Sequence, residues 1–129
     1  MRVLLIASLL VLTGCAGPGT VTAIRTSDGV ALRFAAGNKP GIELNFIEVF
    51  EVEGGVRGRT VCDVSSGSKV IEWVYGSEIR GNEDGHGQCE KLASNHVYGV
   101  LGWRFDRRVV VTRFTIDEDG SIHDLGRRE

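Results

Sequence analysis

The chain has 129 residues, 42% of them apolar and 25% charged, which is one domain's worth of an ordinary globular protein and too little for a multidomain enzyme. Its 15 basic and 17 acidic residues leave a net charge of −2, which excludes the electrostatic footprint of a dedicated nucleic-acid binder and a broad basic face for anionic lipid. Eighteen glycines and only two prolines, with no low-complexity run, suit many turns between short strands.

The amino terminus, MRVLLIASLLVLTG, sets one arginine ahead of an apolar run over residues 3–12 that only Ser8 interrupts. That run is about half the roughly 20 residues a helix needs to cross a bilayer, so it reads as the core of an export signal and not as a retained span. Leu12, Thr13, Gly14 and Cys15 follow the order aliphatic, small, Gly or Ala, Cys. This resembles the lipobox of bacterial lipoproteins. The resemblance implies that residues 1–14 are removed, that the Cys15 sulfur carries a diacylglycerol, and that the new amino terminus is acylated as well. Residues 15–20 are then the lipidated cysteine and a short Gly/Pro spacer, and residues 21–129 form a single domain. Each buried methylene contributes about 0.8 kcal/mol, so two or three acyl chains hold the protein firmly on the lipid bilayer. Ala16 stands where lipoproteins retained at the inner membrane carry Asp, so the expected location is the cell envelope, anchored to the outer membrane and facing the periplasm.

After residue 20, period-2 alternation and turn dipeptides recur, and no helical stripe of useful length is present. VTAIRT, a turn at Ser27-Asp28-Gly29 and VALRF predict a first hairpin. The run IELNFIEVFEVE changes apolar phase in its middle: Leu44, Phe46, Phe50 and Val52 share one parity, Ile47 and Val49 the other. Such a strand is buried on both faces for part of its length or carries a bulge. Gly54-Gly55 turns the chain toward RTVCDV, and residues 65–68, SSGS, turn it into KVIEWVYG, where Ile71, Trp73 and Tyr75 make the larger and expected core-facing side. Residues 81–91, GNEDGHGQCEK, read as an exposed loop. HVYGVLGWRF and VVVTRFTID then predict a hairpin turning at Asp106-Arg107-Arg108, with Val110, Phe114 and Ile116 pointing one way, and Asp119-Gly120 turns into SIHDL.

With Cys15 assigned to lipid, the mature chain holds Cys62 and Cys89, and export favours a disulfide between them. A loop of that length stabilises by about 3.6 kcal/mol on the chain-entropy model. A metal site from Cys62, Cys89 and His86 is the alternative, but no second close-spaced ligand pair accompanies Cys62.

Seven or eight short strands in one domain predict an all-β fold, a two-sheet antiparallel sandwich, with a small β-barrel as the alternative. Leu92, Tyr98 and Val100 resemble the tyrosine corner of immunoglobulin-like and fibronectin type III sandwiches, which implies that the Tyr98 hydroxyl bonds backbone just upstream. Ser94, Asn95 and His96 depart from that pattern, and Val100, not a cysteine, stands two residues after the tyrosine.

No catalytic spacing is present, so the chain is not expected to be an enzyme and no cofactor is implied. His86, His96 and His123 are scattered, and VSSGS lacks the Gly-x-Ser-x-Gly elbow of hydrolases. Aligned on Gly120, an EF-hand would need carboxylates where Thr115 and Gly126 stand, which excludes calcium binding of that type. Glu43, Glu48, Glu51 and Glu53 read as a solvated edge that discourages aggregation. The segment WRFDRR sets an aromatic beside guanidiniums, the chemistry of interface hot spots, and makes Trp103, Arg104, Arg107 and Arg108 the candidate binding residues. The expected function is non-enzymatic: an envelope lipoprotein that binds or scaffolds another envelope component, with a protein partner foreseen. The alternatives are an inhibitor of a cell-wall-degrading enzyme, similar in size and anchor to the small periplasmic lysozyme inhibitors, and a metal-binding module using its histidines.

Overall fold

A computed structural model describes residues 19–77 and 89–126. Cys15, the export signal and His86 lie outside the described residues. Among the described residues, seven strands of five or more residues carry the fold: β1 (Thr20–Thr26), β2 (Gly29–Ala36), β5 (Phe46–Glu53), β6 (Val56–Ser65), β9 (Val97–Arg104), β10 (Arg107–Ile116) and β11 (Ile122–Gly126). Four shorter ones join them: β3 (Lys39–Pro40), β4 (Ile42–Glu43), β7 (Lys69–Val70) and β8 (Glu72–Val74). One sheet sets β1 against β2, with β3 and β8 on the far side of β2; the other runs β11-β10-β9-β5-β6, and β4 and β7 form a small ladder of their own. The described ladders are all antiparallel. The result is a β-sandwich and not a closed barrel.

Between the sheets lie Phe34, Leu32, Trp73, Leu44, Ile47, Val49, Val100 and Phe114, each at most 2% exposed. Phase alternation along β9 and β10 accounts for this, because Tyr98, Val100, Val110, Thr112, Phe114 and Ile116 all turn inward and are buried. Gly102 is needed here, since a Cβ at that position would collide with Val110 and come within 3.1 Å of Leu44. Asp124 of β11 joins the two sheets: its carboxylate accepts from the Ala23 backbone N–H at 2.7 Å and from the Thr112 hydroxyl at 3.1 Å. Ala23 lies on the outer strand β1, so the contact also occupies an edge donor that would otherwise be open to another strand.

The phase change in β5 has both predicted causes at once. Ile47 and Val49 face the core, whereas Phe50 and Val52 face the opposite side, where they join Leu101 in a second apolar cluster. The β5–β6 ladder is also irregular on both sides of Phe50. Leu44 does not share the outward face of Phe46, because the strand is interrupted at Asn45 and Leu44 turns into the core.

Three expectations need correction. Ile71 is 55% exposed while Val70 is buried, since the chain leaves β4 after β7 and joins β2 through β8, which shifts the alternation by one residue. The β9–β10 turn is made by Phe105 and Asp106; Arg104 pairs with Arg107, so Arg107 and Arg108 belong to β10. Glu48, Glu51 and Glu53 do not mark an edge: β5 lies between β9 and β6, and Glu48 and Glu51 are held by Arg57 and, at 3.0 Å, by Arg59, whereas Glu43 stands on β4 in the two-stranded ladder. The expected disulfide is present: Cys62 and Cys89 are bonded to each other, with Cα atoms 4.2 Å apart, which removes the alternative of a metal site on their sulfurs.

The predicted tyrosine-corner hydrogen bond is present. The Ala93 backbone N–H donates to the Tyr98 hydroxyl at 2.8 Å, five residues upstream of a ring that is 3% exposed, with Leu92 packed against the same core.

Candidate site at the β9–β10 tip

The turn between β9 and β10 departs from what hairpin chemistry favours. Phe105 occupies its first central position with φ at 58°, a conformation that disfavours every side chain with a Cβ and that glycine ordinarily fills in such turns. Yet the ring is 78% exposed, so core packing gives nothing in return. Asn45 holds the turn in place from below. Its side-chain Oδ1 accepts from the Phe105 backbone N–H at 2.6 Å, its own N–H donates to the Trp103 carbonyl at 2.8 Å, and its carbonyl accepts from the Ser66 N–H at 2.8 Å. The interruption between β4 and β5 is therefore what positions the tip.

Charge surrounds the exposed ring. Arg104 pairs with Glu43 at 3.1 Å, and its guanidinium carbon lies 6.0 Å from the Phe105 ring centroid. Arg107 and Arg108 follow on the exposed start of β10, and a bulge at Val109 interrupts the ladder just beyond them. Phe105 and Arg104 form the wall between two hollows. One, of about 220 Å³, is lined also by Glu43, Asn45 and Ser68; the other, of about 380 Å³, by Asp106, Arg107 and Val109.

Of the four residues predicted for binding, Arg104, Arg107 and Arg108 come together at this tip. Trp103 does not share their exposure. It lies half-buried on the outer face of the five-stranded sheet, against the cluster of Phe50, Val52 and Leu101, and its Nε1 finds no acceptor among the described residues. The aromatic that takes the exposed position is Phe105. Sequence reading passed over it and over Asn45, because a left-handed phenylalanine has no sequence signature and the Asn45 contact spans 60 positions.

The described histidines stand apart from the tip. His96 Nδ1 lies 2.8 Å from the Ser94 carbonyl, and His123 Nε2 lies 2.6 Å from Asp117 Oδ2. Among the described residues no group of three or more His, Cys, Asp or Glu side chains is disposed to hold a metal. Comparison with known protein families, with curated proteins and with solved structures finds no match.

Proposed function

We propose that the chain is a lipoprotein of the bacterial cell envelope, tethered through acylated Cys15, whose sandwich domain is a binding module and catalyses nothing. Its contact site is the β9–β10 tip. The observation that carries this reading is Phe105, an aromatic kept 78% exposed at a φ of 58° where glycine would relieve the backbone. Strain of this kind costs on the order of 1–3 kcal/mol and clusters at ligand contacts. The guanidiniums beside it add polar handles, and an exposed aromatic flanked by arginine is the composition of a binding hot spot.

The test uses the full chain exported in a bacterial host. The mature protein is weighed intact, and Phe105 is replaced by photoreactive p-benzoylphenylalanine before envelopes are irradiated. An acyl mass on Cys15 and one reproducible adduct at position 105, of whatever chemical class, are expected. Absence of the acyl mass overturns the tether, and absence of an adduct overturns the contact site. Turnover of a cell-wall or metal-dependent substrate by the purified protein, lost on changing a residue of either hollow, overturns the non-enzymatic reading.

A further inference from the structure

The net charge of −2 predicts no broad basic face for anionic lipid, but the fold gives the sandwich two ends of opposite charge, and the tether leaves from the basic one. Gly19, the first described residue, sits where a Cβ would collide with Ile42 and lie 2.9 Å from Val110 Cγ1, so the chain enters beside the start of β10. Thr20 pairs with Ala35, one residue before the end of β2, which places the β2–β3 turn at this end too. So does the β6–β7 turn, because Ser65 pairs with Phe46 and Phe46 with Trp103. Around these turns the exposed ionic side chains are Lys39, Lys69, Arg104, Arg107 and Arg108 against Glu43 and Asp106. The turns at the opposite end carry Asp28, Glu53, Asp117, Glu118 and Asp119, five carboxylates against Arg25, which donates to the Gly120 carbonyl, and Arg57 at the start of β6.

We propose that the partner of the tip is the anionic phospholipid surface to which the protein is tethered. Phe105 seats at the headgroup level, and Arg104, Arg107 and the two lysines approach lipid phosphates. This deepens the proposed function and rests on acylation of Cys15. Dimensions agree with it. Strands rise about 3.3 Å per residue, so the turn stands on the order of 13 Å beyond Val110. The four peptide units from Cys15 to Gly19, whatever path they take, span at most about 14 Å, so anchor and tip reach one plane. Electrostatics gives the orientation a sign: the basic end is drawn to a negative leaflet and the acidic end repelled. Arg side chains suit the role because a guanidinium meets a phosphate with two parallel donors.

The experiment reconstitutes the acylated full-length protein in vesicles of phosphatidylethanolamine, with or without phosphatidylglycerol. Photoreactive p-benzoylphenylalanine replaces Phe105 in one sample and Asp28, at the opposite end, in another. Phospholipid adducts are expected at position 105 and not at position 28, and they require phosphatidylglycerol. Arg104→Gln with Arg107→Gln lowers their yield by roughly ten- to thirtyfold, the loss of two cationic contacts at the surface, and added salt does the same. Equal labelling at both positions, indifference to phosphatidylglycerol, or protein adducts in place of lipid adducts at position 105 in native envelopes overturns the membrane contact. The intact mass of Cys15, measured in the same samples, separates that failure from failure of the tether: an acylated protein without lipid adducts loses only the contact.

Discussion

Phe50 lies across Gly99. The two are register partners in the β5–β9 ladder, on the outer face of the five-stranded sheet, and a Cβ at position 99 would run into the Phe50 ring. The Arg57 guanidinium caps the other side of that ring at 4.4 Å and pairs with Glu48, so an aromatic on a face turned away from the core is only 5% exposed. Gly99→Ala is therefore expected to destabilise the domain by about 1–2 kcal/mol, because overpacking outweighs the better strand propensity of alanine. Adding Phe50→Ala removes the obstacle, so the double variant is less destabilised than the sum of the singles. Urea unfolding of the four proteins measures the coupling.

Tyr98→Phe removes one hydroxyl and leaves the Ala93 N–H without the acceptor it has at 2.8 Å. The expected loss is about 1–2 kcal/mol, the cost of a partly buried donor left unpaired. A thermal scan showing an unchanged midpoint would rule out a stabilising role for this corner.

Stability and contact pull in opposite directions at the tip. Phe105→Gly relieves a left-handed φ, worth about 1–2 kcal/mol, against the extra entropy of glycine in the unfolded chain, so the variant is expected to be as stable as the native protein or up to about 1 kcal/mol more so. It should also lose the contact made at position 105. Asn45→Ala, which removes the acceptor for the Phe105 N–H, is expected to cost about 1 kcal/mol. Paired denaturation and vesicle-binding measurements on both variants separate the two effects.

The Cys62–Cys89 bond closes a separation of 27 residues and is continued by neighbouring contacts: the Glu90 N–H donates to the Val61 carbonyl, and the Tyr75 hydroxyl donates to the Glu90 carbonyl at 2.6 Å. Reduction under native conditions is expected to lower stability by about 3.6 kcal/mol on the chain-entropy model. Denaturation midpoints with and without reductant check this.

The same corner has a pH dependence of defined sign. The hydrogen bond from Arg59 holds the Glu90 carboxyl below its usual range. Its contribution to stability is thus complete above the unfolded carboxyl pKa and is lost as pH falls through the depressed folded value. Both side chains are exposed, so the effect is small and weakens with salt. Burial raises the Tyr75 phenol, and that contribution is present below the unfolded phenol pKa and lost as pH rises through the folded one. Glu90→Gln should flatten the acid limb of a stability-against-pH curve and, because the Glu90 charge also helps to raise the Tyr75 phenol, weaken the alkaline limb to a smaller extent.

Local pattern determined a good deal of this protein. The alternation of Val110, Phe114 and Ile116, the β1–β2 and β5–β6 turns at Gly29 and Gly54-Gly55 and the Tyr98 hydrogen bond were legible in the sequence, because each depends on side-chain period, glycine conformation or a short chain separation, and the pairing of Cys62 with Cys89 was legible because two cysteines beyond Cys15 leave one pairing. The exposure of Ile71, the interior place of β5 and the support of Phe105 by Asn45 were not, because each is fixed by which strand the chain joins next and by contacts many residues apart. Charge shows the difference most plainly. A net of −2 is a sum over the chain and contains no directions, whereas antiparallel strands send alternate turns to opposite ends and so gather Lys39, Lys69, Arg104, Arg107 and Arg108 at one of them.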